Sequence, residues 1–247
     1  MKYFFLIFLV SQGCFASNLT VCAEDKRTPT QDMRIGRLKM SDYESACTVT
    51  MISKDCAVSA GHCLKYMKNV EFNVPRSRGV VLVAASAQNT YEIDSSSIVS
   101  RNGDLGNDWA VMKINANTLT KKFPGEVGGF YPVNFSTPKV GEKISIAGYG
   151  RDDRRELNSN GVLQVDQGEI DNIYDEPSET QGPFKIVSYF IDTMPGDSGA
   201  ALIRVNQKDI IGVHTNGGQC DGAGNFGTLI SENKKFAQAI KSCLGAL

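Results

Sequence analysis

Three residues in this chain have types that can act together in covalent chemistry. Ser198 lies in IDTMPGDSGAA, residues 191–201. A serine hydroxyl attacks a carbonyl only when a base takes its proton. The chain has two histidines, His62 in AVSAGHC and His214 in IIGVHTNGG. A histidine that serves as such a base is itself oriented by a buried carboxylate. Asp108 in NDWAVMKI is placed for that task, because a charge at an apolar strand is costly unless it is paired. The residues around Ser198 meet a further need. Pro195, Gly196, Asp197, Ser198 and Gly199 interrupt an apolar run and read first as a tight turn. The same residues can hold a serine on a sharp loop, with backbone N–H groups converging on a reacting carbonyl. The chemistry such a set supports is acyl transfer.

The elements that must position these groups read as strands. Short apolar runs with turn residues between them recur at 48–52, 57–59, 80–84, 109–114, 143–147, 161–165, 185–190, 200–205 and 209–213. Their spacing favours a barrel or sandwich over alternating βαβ units. His62 follows one run, Asp108 opens another, and Ser198 sits in the break before a third. One helix is expected at the C-terminal end, N-capped by Ser231, with Phe236, Ala239, Ile240 and Cys243 on one face. Residues 121–129, with Pro124 and three glycines, read as a linker between two halves.

Composition excludes several classes. Lys plus Arg (26) balance Asp plus Glu (27), so neither a nucleic-acid nor a polybasic membrane surface is expected. Lys2, an apolar run at 3–10 too short to span a bilayer, and Cys14-Phe15-Ala16 read as a cleaved export signal, residues 1–16. No later stretch is apolar and long enough to cross a membrane. Six cysteines remain after Cys14: Cys22, Cys47, Cys56, Cys63, Cys220 and Cys243. An even number in an exported chain points to disulfides, and the absence of paired CxxC knuckles argues against zinc. No cofactor or metal is expected. The protein is read as a monomer, free of membrane once the signal is removed, in the extracellular or periplasmic space.

SAGHC, NDWAVMKI and GDSGA, in the order His, Asp, Ser, resemble the three signature segments of chymotrypsin-like serine proteases. That resemblance implies an all-β fold of two packed six-stranded antiparallel β-barrels with a C-terminal α-helix. The first barrel would take residues 21–127 and the second, with the helix, residues 128–247. It implies Ser198 as nucleophile, His62 as general base and then acid, and Asp108 as the orienting carboxylate. The N–H groups of Gly196 and Ser198 would form the oxyanion hole, and proteins or peptides would be the substrates. ACTVTMISKDCAVSAGHC, VCAEDKRTPT, DTMPGDSGA, IGVHTNGG and NFGTLISENKKFAQAI resemble the bacterial glutamyl endopeptidase branch.

The branch implies that Thr193 and His214 bind a substrate carboxylate, with His214 as an imidazolium donor, so that cleavage follows Glu, or Asp. Asp192 keeps a rival open, because an acid at that place in trypsin-like enzymes binds Lys or Arg. Thr215 to Gly217 would pair with the substrate backbone as an added strand. A protease-like binding protein without catalysis is the alternative of another class. The resemblance also implies a Cys47–Cys63 bridge. Met194 stands where the wider family has a cysteine before the active serine, and the remaining expected pairs are Cys22–Cys220 and Cys56–Cys243. Zymogen activation would remove a short propeptide, residues 17–20, and the new α-amino group of Val21 would reach Asp197.

Overall fold

The computed structural model describes residues 21, 24–176, 184–218, 220, 222 and 224–245. The expected signal (1–16) and propeptide (17–20) lie outside them, as does Cys22. Two closed antiparallel barrels form the body. In the first, β2 (Ile35–Lys39), β3 (Ser45–Met51), β4 (Cys56–Ser59), β5 (Asn69–Glu71), β6 (Thr90–Asn102) and β7 (Asp108–Ile114) close in the order β2-β3-β4-β7-β6-β5. The second uses β8 (Lys143–Gly148), β9 (Gln164–Glu176), β10 (Phe184–Tyr189), β11 (Ala201–Arg204), β12 (Ile210–Asn216) and β13 (Asn225–Leu229). These pair as β9-β10-β13-β12-β11-β8, and a β8–β9 ladder closes the ring. A two-residue strand, β1 (Thr28–Pro29), adds to β9 through the pair Thr28 and Val165.

Strand alternation explains how the two barrels meet. Along β7, Ala110, Met112 and Ile114 point into the first barrel's core with Val49, Met51 and Ile93. Trp109 and Val111 point the other way, into a layer shared with Tyr149, Ile203, Ile210 and Val213 of the second barrel. The second barrel is filled by Ile144, Ile146, Val187, Tyr189, Leu202 and Leu229. The shared layer is closed below by α2 (Lys234–Leu244). Its Phe236 stacks on Trp109 at 5.2 Å between ring centroids, and burying such a side chain is worth about 1.5–3 kcal/mol. Asn233, not Ser231, caps this helix: its side chain accepts from the Phe236 N–H while its amide donates to the Gly106 carbonyl. Disulfides join Cys47 to Cys63 and Cys56 to Cys243, the second tying α2 to β4. Cys220 is also disulfide-bonded.

Two further expectations change. Residues 80–84 form no strand: Val81 makes an isolated bridge to Arg78, and the turn through Gly79 (φ 61°) leaves Leu82 tucked inward. The apolar run at 161–165 contributes only its end to β9, because Gly161 takes a positive φ with the Leu82 side chain against it. The expected linker holds a short helix, α1 (Pro124–Gly128).

Candidate active site

His62 is carried on a 3₁₀ turn, Gly61–Tyr66, that follows β4. Gly61 is required there, because a Cβ would lie 1.8 Å from the Arg101 carbonyl oxygen of β6. Asp108 opens β7 and is buried. Its Oδ1 accepts from the His62 backbone N–H at 2.9 Å, and its Oδ2 lies 2.6 Å from His62 Nδ1. Both oxygens therefore grip the same residue. The proton of the neutral ring belongs on Nδ1, which leaves Nε2 free to accept one.

Ser198 lies on the loop between β10 and β11. Asp197 N–H donates to the Met194 carbonyl and Ala200 N–H to the Asp197 carbonyl, both at 2.9 Å, so two successive tight turns carry the serine. Gly196 (φ 107°) and Gly199 (φ 86°) supply the positive φ values these turns need. At Gly199 a Cβ would meet Ser59 Oγ at 2.2 Å and the Thr48 carbonyl at 2.4 Å. The loop is thus pressed against the first barrel.

Thr48, which the sequence did not mark, fastens that contact. Its hydroxyl donates to the Gly196 carbonyl at 2.9 Å and accepts from the Tyr149 N–H at 3.0 Å. Its own N–H donates to the Ser198 carbonyl at 2.8 Å. One β3 residue therefore holds both ends of the Gly196–Ser198 backbone. From the other side, Gly199 N–H donates to the His214 carbonyl and His214 N–H to the Ala200 carbonyl, each at 2.8 Å. The base comes from one barrel and the serine from the other, and these bonds set their relative placement.

His62, Asp108 and Ser198 border one cavity of about 370 Å³, together with Gly196, Thr193, His214, Thr215 and Gly217. Ala46, Asn102, Met194 and Pro195 also line it. Asp192 does not. It is buried, its carboxylate accepts from the Lys26 N–H at 2.9 Å, and its own N–H donates to Asp166 at 2.9 Å.

His214 departs from expectation in its charge. Burial, followed by the nearby His62, lowers its pKa from 6.5 to about 3 against a smaller opposing pull from the Phe226 carbonyl. The ring is therefore neutral and not an imidazolium, because burial disfavours its charged form. Its Nδ1 lies 2.8 Å from the Tyr189 hydroxyl, which donates to the Phe226 carbonyl at 3.0 Å. The hydroxyl and the ring share this contact: with the hydroxyl proton on the Phe226 carbonyl the ring proton sits on Nδ1, and with it on Nδ1 the ring proton sits on Nε2.

The guanidinium of Arg27 sits beside the Asp197 carboxylate at 3.3 Å. Burial pushes the Asp197 carboxyl up, while Arg27 and the N–H groups of Met194 and Gly150 pull it down.

The family model described as Trypsin matches residues 24–240. Among solved structures, a Glu endopeptidase in complex with MPD is similar at a TM-score of 0.66 and 21% identity, over 91% of this chain and 99% of that one. The protease Anisep from Arthrobacter nicotinovorans is similar at 0.57 and 18%, over 82% and 92%. Human heparin binding protein is similar at 0.63 and 14%, over 91% and 98%. No curated protein matches the chain in sequence.

Proposed function

The chain belongs to the trypsin family and is a serine endopeptidase, and we propose that it is an exported one that cuts after Glu, and after Asp more slowly. Ser198 attacks the peptide carbonyl while His62 Nε2 takes its proton. Asp108 keeps the His62 ring in the tautomer this needs and stabilises the imidazolium that forms. The carbonyl oxygen becomes an oxyanion held by the N–H groups of Gly196 and Ser198. Such donors are worth roughly 3–4 kcal/mol each. The imidazolium then protonates the leaving amine, and water repeats the sequence to release the acyl group.

One observation carries the specificity. Thr193 and His214 border the cavity that contains Ser198, whereas Asp192, the acid a Lys or Arg side chain would need, is turned away and bonded to Lys26. A Glu side chain reaching His214 meets an uncharged ring, which donates to it from Nε2 in one tautomer and takes up a proton with it in the other. Export is supported by the three disulfide-bonded cysteine sites at Cys47, Cys56 and Cys220. Among the described residues no helix is long and apolar enough to cross a membrane.

The test is a peptide series differing only at the residue before the cut, with Glu, Asp, Gln, Lys, Arg and Phe, and Ser198→Ala as the blank. Cleavage after Glu that is lost in His214→Ala is the expected result. Preferred cleavage after Lys or Arg, lost in Asp192→Ala, would replace this pocket assignment. A disulfide-bonded protein that cleaves none of them would favour the non-catalytic binding alternative.

A further inference from the structure

A family member whose serine loop is completed by a new α-amino terminus needs a cleavage event. In this chain Asp197 Oδ2 is already met from within, whereas its buried Oδ1 accepts no hydrogen bond among the described residues. Arg27 is 3% exposed, which is rare for an arginine unless each of its donors is satisfied. NH1 faces Asp197 Oδ2 at 3.3 Å. NH2 donates to Asp25 Oδ2 at 2.9 Å and to the Arg151 carbonyl at 2.8 Å, and Nε donates to Asp25 Oδ1 at 3.0 Å. The same Asp197 oxygen accepts from the Met194 N–H at 2.9 Å. Arg27 is therefore one bond removed from the turn that carries Gly196.

Room has been left for this pair. A Cβ on Gly148 would lie 2.4 Å from Asp197 Oδ1, and one on Gly150 would lie 2.4 Å from both Arg27 NH1 and Asp197 Oδ2. The segment that delivers Arg27 is pinned on both sides of it. Lys26 N–H donates to Asp192 at 2.9 Å, Thr28 pairs with Val165, and Thr30 N–H donates to the Leu163 carbonyl at 2.9 Å. Behind Arg27, Arg154 bridges Asp25 and Asp152 at 3.0 and 2.9 Å. These are the charged groups around Asp197; Gly148, at the end of β8, and Gly150 just beyond it approach it without a side chain.

We propose that Arg27 is a positioning residue for the serine loop: it anchors Asp197, and through it the Met194–Gly196 turn, so that the active site is assembled without insertion of a new α-amino terminus. The segment 25–30 is then a built-in strap that does the work of the activated N-terminus expected from the sequence. This rests on the endopeptidase reading, because it assigns a role in the same site.

Two measurements test it. The first compares the parent with Arg27→Met and Arg27→Lys, using kcat and KM on a Glu peptide, kcat against pH, and labelling of Ser198 by a fluorophosphonate. Arg27→Met should lower kcat by roughly 10²-fold or more, the size of losing an oxyanion donor, with KM within threefold. Its acidic limb should move to higher pH, because Asp197 without its cation stays ionised only at higher pH. Arg27→Lys should recover most of kcat and return the limb towards that of the parent. An Arg27→Met enzyme with the parent's kcat and acidic limb overturns the proposal and leaves the endopeptidase reading intact. A parent that does not label at Ser198 overturns both.

The second needs no substitution and so survives misfolding of the variants. A chain beginning Gly-Ser-Val21, which has no α-amino group at Val21, should match the kcat of one beginning at Val21. Loss of activity in the extended chain would show that a free α-amino group is needed and would refute the strap.

Discussion

Lowering the pH should unfold this protein partly through His214, and the size of that effect follows from its burial. The ring titrates near 3 in the folded chain and near 6.5 when unfolded. Between those values the unfolded chain binds a proton that the folded chain refuses. Stability from this group is therefore fully present above the unfolded pKa and is lost as pH falls from about 6.5 towards 3. From pH 7 to pH 5 the loss works out at roughly 2 kcal/mol, taking 1.36 kcal/mol per pH unit. The measurement is reversible urea unfolding of the parent and of His214→Gln at both pH values. Every other titrating group is shared, so the comparison isolates the ring. The parent should lose about 2 kcal/mol more than the variant on acidification. Equal losses in the two proteins would refute the claim that His214 is buried uncharged.

Three further outcomes are expected. Asp108→Asn should keep the fold and lower kcat by about 10⁴-fold, since an amide no longer favours the His62 tautomer with Nδ1 protonated; steady-state kinetics with circular dichroism checks both halves. Thr48→Val should cost about 1–3 kcal/mol in urea unfolding and also lower kcat, because the Tyr149 N–H loses its buried acceptor and the Gly196 carbonyl its donor. Arg37→Met should destabilise the protein by about 3–5 kcal/mol in the same assay. Arg37 is fully buried, bonds Glu71 at 2.6 and 3.0 Å, and reaches the Gly161 carbonyl of the second half at 2.8 Å, so its loss strands a carboxylate.

What could be read from the chain, and what could not, follows from the range of the interactions. His62, Asp108 and Ser198 each sit in a short local signature, and a turn or strand edge is encoded within a few residues. An all-β body, barrel or sandwich, was also legible from apolar runs separated by turn residues, and the two-barrel form came from the resemblance. The strand β6 was not: TYEIDSSSIVSRN has polar residues on both faces in its middle, where a bulge between Asp94 and Val99 breaks the register. The helix start was misplaced because Ser231 and Asn233 are both good caps. Only the contacts of Asn233 with Gly106 and Asn107 decide between them.

The site's supporting groups lie beyond local reading. Arg27 and Asp197 are 170 residues apart, and no pattern in either neighbourhood marks them as partners. Thr48 is one hydroxyl in an alternating strand until it meets the serine loop. The charge of His214 depends on how completely β10, β12 and β13 enclose it, which residue type alone does not state. Asp192 shows the converse. Its position before the serine suggested a basic-residue pocket, and its orientation towards Lys26 removes it from the cavity.

The most direct test of the central claim is covalent. A diphenyl phosphonate bearing a Glu side chain at the recognition position should inactivate the enzyme and leave its adduct on Ser198, mapped by mass spectrometry. The matching Lys and Phe phosphonates should react far more slowly, and His214→Ala should abolish the difference. Faster inactivation by the Lys reagent, or an adduct on any residue other than Ser198, would contradict a Ser198 nucleophile served by an acidic-side-chain pocket.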